Sequence, residues 1–166
     1  SRRRHTRYGT VTGVQTCALP ISFIGLPHRM VELNPVRGVR FINDSKGTNV
    51  GASETAISSV ETLGQLYLLA GGESKDADLS QWAKTAKLHC KHVFAFGRDR
   101  QRFVDALGRQ VTAVETLDQA FELALQHAGE GDVLLLSPAC ASFDQFSNYQ
   151  ERGAHFEALV EAYREI

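Results

Sequence analysis

The sequence predicts an α/β fold, doubly wound about a mainly parallel sheet that opens with a β-hairpin. Three observations carry this. Short apolar runs of strand length alternate with segments of helical period along the chain. The helical segments are long enough to serve as crossovers, which join parallel strands and cover both faces of a sheet. The 166 residues, 43% hydrophobic and 22% charged, suffice for one packed domain of roughly 100 to 200 residues and not for two.

Each element has its own reason. Residues 29–33 and 39–43 flank Asn34-Pro35-Val36-Arg37-Gly38, whose Pro and Gly mark a turn, so the two runs read as the hairpin. A helix at 50–60, a strand at 66–70, a helix at 79–87, a strand at 92–96, a helix at 100–107 and a strand at 111–114 follow. In the helix expected at 117–128, Leu117, Ala120, Phe121, Ala124, Leu125 and Ala128 form one apolar stripe on a 3.6-residue period. The run Val133-Leu134-Leu135-Leu136 is the last strand. The last helix, 149–164, repeats the stripe at Phe156, Leu159, Val160 and Tyr163. The result is a Rossmann-like layout with a hairpin at its start.

Charge excludes some functions. Lys plus Arg number 18 against 19 Asp plus Glu, a formal charge of −1, so the balance points to neither nucleic acid nor a membrane surface. Apolar runs such as 133–136 stop far short of the ~20 residues of a membrane helix. Cys17, Cys90 and Cys140 lack paired spacing, which argues against a disulfide framework or a zinc site and fits a reducing cytoplasm.

Residues 1–22 differ from the rest. Their arginines, Arg2, Arg3, Arg4 and Arg7, crowd the start, they contain no acid, and their apolar residues follow no period. A signal peptide is rejected because Thr12, Gly13, Gln15, Thr16 and Pro20 interrupt the apolar part and no initiator Met is present. The run 11–21 instead resembles a translated sequencing-library adapter, so 1–22 is expected to be non-native and 23–166 to be the domain. Setting those four arginines aside leaves 14 basic against 19 acidic groups, a formal charge of about −5.

Ligands of such sheets bind beyond the carboxyl ends of the strands. The expected strand ends lead into Asn43-Asp44-Ser45-Lys46-Gly47-Thr48-Asn49, Gly71-Gly72-Glu73-Ser74-Lys75, Gly97-Arg98 and Ser137-Pro138-Ala139-Cys140-Ala141-Ser142. Cations, hydroxyls and glycines thus gather on one rim, as an anion site requires. Thr48 and Asn49 precede a helix whose unpaired N–H groups and dipole favour phosphate or carboxylate, and Lys46 adds a full charge beside them. The plainer alternatives are a helix cap at Thr48 or Asn49, a solvated Lys46 and a simple Asp44–Lys46 ion pair. Gly71-Gly72 permits close approach of backbone to a ligand, with Lys75 reaching over the site. No Walker A loop and no Gly-x-Gly-x-x-Gly occurs. Cys140 has no base nearby and reads as a small packed residue, and His89 and His92 lack a second ligand pair for zinc.

Four blocks carry a family resemblance: Gly25-Leu26-Pro27-His28-Arg29, Asn43 to Ala52, Gly71 to Lys75, and Leu136 to Phe146. In this order and spacing they resemble the C-terminal domain of the Mur ligase family, from about Phe23 to the end. The Asp44-Ser45-Lys46 form of the first loop favours the branch that adds D-glutamate. The resemblance implies ATP-dependent amide formation in peptidoglycan synthesis: the carboxylate of UDP-N-acetylmuramoyl-L-alanine becomes an acyl phosphate, which the D-glutamate amine attacks. It implies that Arg29 and Asp44 hold the nucleotide, Asp44 at the ribose, and that Lys46 is catalytic, neutralising phosphate charge. Thr48, Lys75 and Ser142 grip the two D-glutamate carboxylates. Tyr149 stands where a phenylalanine is usual and joins the grip through its backbone N–H, so the departure is expected to matter little. ATP is the implied cofactor, with magnesium and uridine-binding groups in N-terminal and central domains upstream, so this segment alone is expected to be inactive; Gly25 to His28 would be the hinge to them. Two other readings share the rim: a stand-alone nucleotide-binding module, and a related amide ligase such as a folate polyglutamate synthase, expected to lack Asp44-Ser45-Lys46.

Overall fold

The computed structural model describes residues 26–166; the segment 1–22, with its expected foreign origin, lies outside the described residues. The elements run β1 (Val31–Val36), β2 (Val39–Asn43), α1 (Val50–Ser59), β3 (Leu66–Gly71), α2 (Ser80–His89), β4 (His92–Phe96), α3 (Arg100–Leu107), β5 (Val111–Ala113), α4 (Leu117–His127), β6 (Val133–Leu136) and α5 (Tyr149–Glu165). The sheet order is β1-β2-β6-β3-β4-β5. β1 pairs antiparallel with β2, and every other pairing is parallel.

The hairpin differs from its expected form. β1 continues through Asn34, Pro35 and Val36, and the turn is only Arg37-Gly38, both with left-handed φ of 51° and 78°. Two such residues match the right-handed twist of hairpin strands. Pro35 falls inside the register shift between Leu33 and Val36. It is tolerated because β1 is an edge strand, where a missing N–H costs no ladder bond.

Both faces of the sheet are covered, which explains why β6 reads as an unbroken apolar run. Val133 and Leu135 face one core with Ile57, Leu68, Trp82 and Phe103. Leu134 and Leu136 face the other with Phe41, Phe94, Phe121 and Phe156. The first core has a polar tie: Trp82 Nε1 donates to Ser53 Oγ at 2.9 Å, and Ser53 Oγ donates to the Ser137 carbonyl at 3.0 Å. α1, α2 and the loop after β6 are thereby held in one register.

The topology decides where a site can form. β6 lies between β2 and β3, so the loops leaving these three strands are neighbours. The ladder extends into them: Asp44 N donates to Leu136 O at 2.8 Å, Gly71 N to Pro138 O at 2.9 Å and Ala139 N to Gly47 O at 2.8 Å. Glu73 and Ala141 add an antiparallel bridge. Among the described residues no helix is long and apolar enough to cross a membrane.

Replacing Trp82 by Phe removes the indole donor and leaves a gap in a fully buried position. The expected loss is about 1–3 kcal/mol, read as a lower urea midpoint with an unchanged slope.

Candidate functional site

A cleft of about 440 Å³ opens where the loops after β2, β3 and β6 meet the start of α5. Thr48, Lys75, Ser142 and Tyr149 line it together with Asn49, Glu73 and Phe143. Thr48 is not the helix cap, because Asn49 is: its side chain accepts from Ala52 N at 2.9 Å. Ser142 is buried, and its hydroxyl makes no hydrogen bond to the described residues. Lys75 is exposed, with its ammonium 6.0 Å from the centre of the Phe143 ring.

A second cavity of about 270 Å³ lies on the other side of the Ser45-to-Thr48 loop, lined by Arg29, Asp44, Lys46 and Gly47 with the α1 residues Ala52, Thr55 and Ala56. The seven residues singled out in the sequence therefore fall into two groups, four on one cavity and three on the other. Lys46 joins them: Nζ donates to the Tyr149 hydroxyl at 3.3 Å and lies 5.3 Å from the centre of that ring. The Asp44–Lys46 ion pair does not form. Asp44 turns inward instead, accepting from Ser137 Oγ at 2.7 Å and from Met30 N at 3.3 Å. Burial pushes its carboxyl above the ordinary 3.8, with the Ser137 and Met30 hydrogen bonds and the charges of Arg29 and Arg152 opposing.

Gly71-Gly72 bring backbone into close contact with the end of β4 and with the loop after β6. Both have positive φ, 138° and 125°, and a Cβ on either would strike a carbonyl oxygen, of Phe96 and of Ala141 respectively. The following residues Lys75 and Asp76 also take left-handed φ, 48° and 58°, at a cost of about 1 kcal/mol or more each. Asp99 and Arg102 hold this loop: Asp99 Oδ2 accepts from Ser74 N at 2.6 Å and from Ser74 Oγ at 2.8 Å, while Arg102 donates to Ser74 Oγ and, at 2.7 Å, to Ala77 O. The Ser74 backbone donor keeps the Asp99 carboxyl below its ordinary value.

Sequence reasoning missed Arg152. Its side chain has no exposed surface, donating through Nε to Ser45 Oγ at 3.0 Å, through Nη2 to Ser45 O at 2.9 Å and through Nη1 to Cys140 O at 3.1 Å. Burial pulls it down to about 10, with Cys140, Asp144 and Asp44 opposing, so it remains a cation at neutral pH. The signal was present, since Arg152 precedes Phe156 and Val160 by four and eight residues and so shares their face. Also missed was the seat of the segment before β1. His28 Nδ1 lies 3.0 Å from Asn43 Nδ2, and the ring packs on Gly153, where a Cβ would collide with it. Asn43 Nδ2 further donates to Glu157 at 2.7 Å and to Gly153 O at 3.1 Å.

Cys140 and Cys90 are buried thiols, each pushed up to about 12 chiefly by burial. A thiol held there does not supply a nucleophile at neutral pH. His92 lies at the amino end of β4, away from the rim, within 2.9 Å of Thr112 Oγ1. Among the described residues no group of three or more His, Cys, Asp or Glu is placed to hold a metal ion.

A sheet wound in this way, with a cation-bearing double cavity beyond the carboxyl ends of three adjacent strands, defines a doubly wound α/β ligand-binding domain. The chain belongs to the Mur ligase, glutamate ligase domain family, whose model matches residues 28–140. The UDP-N-acetylmuramoylalanine–D-glutamate ligase of Hydrogenovibrio crunogenus is 48% identical over 145 residues, 86% of this chain and 32% of that protein. The protein of the same name from Escherichia coli K12 is 42% identical over 139 residues, 84% and 32% respectively. The chain thus spans about a third of the length of these curated relatives. Among solved structures, Thermotoga maritima MurF ligase in complex with ADP matches with a TM-score of 0.61 at 14% identity, over 87% of this chain and 32% of that one. Escherichia coli FolC in complex with ADP matches with a TM-score of 0.61 at 18% identity, over 85% and 33%. These two show a shared fold.

Two outcomes follow from the titrating groups. Asp44's folded value is raised, so its stabilising contribution is complete below 3.8 and lost as pH rises through the raised value. Against Asp44→Asn, the wild type should therefore gain relative stability between pH 7 and pH 4 in urea titrations, and a constant difference would contradict the buried geometry. In a Cys17→Ser background, a thiol reagent at pH 8 should label Cys90 and Cys140 only after denaturant is added.

Proposed function

We propose that the chain is the C-terminal, amino-acid-binding domain of a cytoplasmic, ATP-dependent ligase that joins D-glutamate to UDP-N-acetylmuramoyl-L-alanine in peptidoglycan synthesis. The observation that carries this reading is the division of the rim residues between two cavities that meet at Lys46 and Tyr149. The relatives at 41–48% identity that bear the D-glutamate ligase name support it over the folate-linked alternative, which shares the fold at 18% identity. The full reaction is proposed for the longer protein, with magnesium held by its central domain.

In the larger cleft, Lys75 offsets the charge of a dicarboxylate that must leave water. The hydroxyls of Thr48 and Ser142 donate to it, as does the N–H of Tyr149, the first residue of α5, whose backbone donor has no partner within the helix. In the smaller cavity, Arg29 and Lys46 suit phosphate oxygens. Asp44 retains acceptor capacity beyond its bonds to Ser137 and Met30, enough to receive a ribose hydroxyl. Lys46 stands where negative charge on a phosphate in transfer is balanced by a fixed cation.

The test uses the domain joined to a complete upstream part. Lys75→Ala and Ser142→Ala should each raise KM for D-glutamate roughly ten- to hundredfold, the value of a charged hydrogen bond, with KM for ATP little changed. Lys46→Ala should act mainly on kcat. If Lys75→Ala altered only the ATP constant, assigning the Gly71-to-Lys75 loop to D-glutamate would be wrong.

A further inference from the structure

The two cavities share one wall, and one contact spans it. Lys46 lines the smaller cavity and Tyr149 the larger, and the Lys46 ammonium donates to the Tyr149 hydroxyl at 3.3 Å. Lys46 makes no other side-chain hydrogen bond and no ion pair among the described residues, Asp44 having turned away to Ser137. A lysine side chain is a point charge on a flexible four-carbon stem. What fixes Nζ is therefore the phenol, together with the ring face 5.3 Å away.

Both ends of this bridge are themselves anchored. The Lys46 backbone N–H donates to His28 O at 2.9 Å. The Tyr149 carbonyl accepts from Ser45 Oγ at 2.7 Å, and Asn148 caps α5 by accepting from Glu151 N at 2.8 Å. The phenol thus projects from the first turn of a 17-residue helix rather than from a loop. An ammonium has three N–H bonds, so one given to Tyr149 leaves two for an anion.

We propose that the Tyr149 hydroxyl is a positioning residue for Lys46, holding its ammonium on the wall between the cavities so that it meets a phosphate at a fixed point. This deepens the reading above and rests on it for the identity of that phosphate. The role belongs to the side chain, and is separate from the backbone N–H of the same residue.

The decisive comparison is a double-mutant cycle of Tyr149→Phe and Lys46→Met in the full-length ligase. Phe keeps the ring and the backbone donor and deletes only the hydroxyl. Tyr149→Phe is expected to lower kcat about five- to tenfold, less than the full value of a hydrogen bond to a charged group, because the contact is long at 3.3 Å and the ring face beside Nζ remains. KM for D-glutamate should stay within about twofold, and the variant should lower kcat no further in the Lys46→Met background. An unchanged kcat, or equal losses in both backgrounds, would overturn the proposal. A second readout does not depend on the reaction: stabilisation of the 166-residue chain against heat by inorganic pyrophosphate. The shift should shrink in Tyr149→Phe, shrink further in Lys46→Met, where Arg29 alone remains, and be the same in the double variant as in Lys46→Met alone. Equal shifts in wild type and Tyr149→Phe, zero included, would overturn the positioning role whether or not the ligase uses D-glutamate.

Discussion

The guanidinium of Arg152 is the point on which the site's architecture depends. A charge without exposed surface is costly unless its hydrogen bonds are met, and here three backbone and hydroxyl oxygens meet them, two from Ser45 and one from Cys140. Ser45 Oγ passes the connection on to the Tyr149 carbonyl. One side chain therefore ties the loop after β2, the loop after β6 and the first turn of α5, which together form most of the larger cleft. Removing the Ser45 hydroxyl would cost the guanidinium one of its three bonds, and bending either loop would withdraw a carbonyl from it, so each loop constrains the others.

The same residue shapes the electrostatics. The region from residue 23 onward carries more acid than base, yet Arg29, Lys46, Lys75 and Arg152 converge on or beneath one rim. Arg152 has no carboxylate within ion-pair distance among the described residues, and the charges of Asp144 and Asp44 act on it only from farther off. A cation buried behind a low-dielectric wall favours anions in the adjacent cavities. Loop strain at Lys75 and Asp76, held by Asp99 and Arg102, is the sort of local cost that persists where a side chain must be aimed.

Most of the fold was legible because periodicity is set by burial, and this sheet is buried on both faces. The stripe from Leu117 to Ala128 and the run Val133 to Leu136 become α4 and β6 with almost their expected bounds. The hairpin turn was misplaced because Pro35 reads as a breaker, whereas on an edge strand it is accommodated by a register shift. At the site, residue types revealed the rim but not its partition. Nothing local shows that Asp44 turns inward and Lys46 crosses to a tyrosine more than a hundred residues away, since both depend on long-range contacts. Gly71-Gly72 illustrates the same limit: the pair signals close approach, but only the packed loops show that what approaches is backbone.

The place of β6 in the sheet bears on how the chain acquires its shape. Before residues 133–136 are made, the nascent polypeptide can pair β1 with β2 and β3 with β4 and β5, leaving two partial sheets with a raw edge on each. Only the last strand can join them, and its loop completes both the Arg152 knot and the cleft. The pairings of β6 with β2 and β3 span the longest stretches of sequence among the parallel ones, and pairing of that kind forms slowly. Until β6 is in place the open edges of β2 and β3 are templates for another chain, so the residues from 133 onward both complete the larger cleft and cover those two edges.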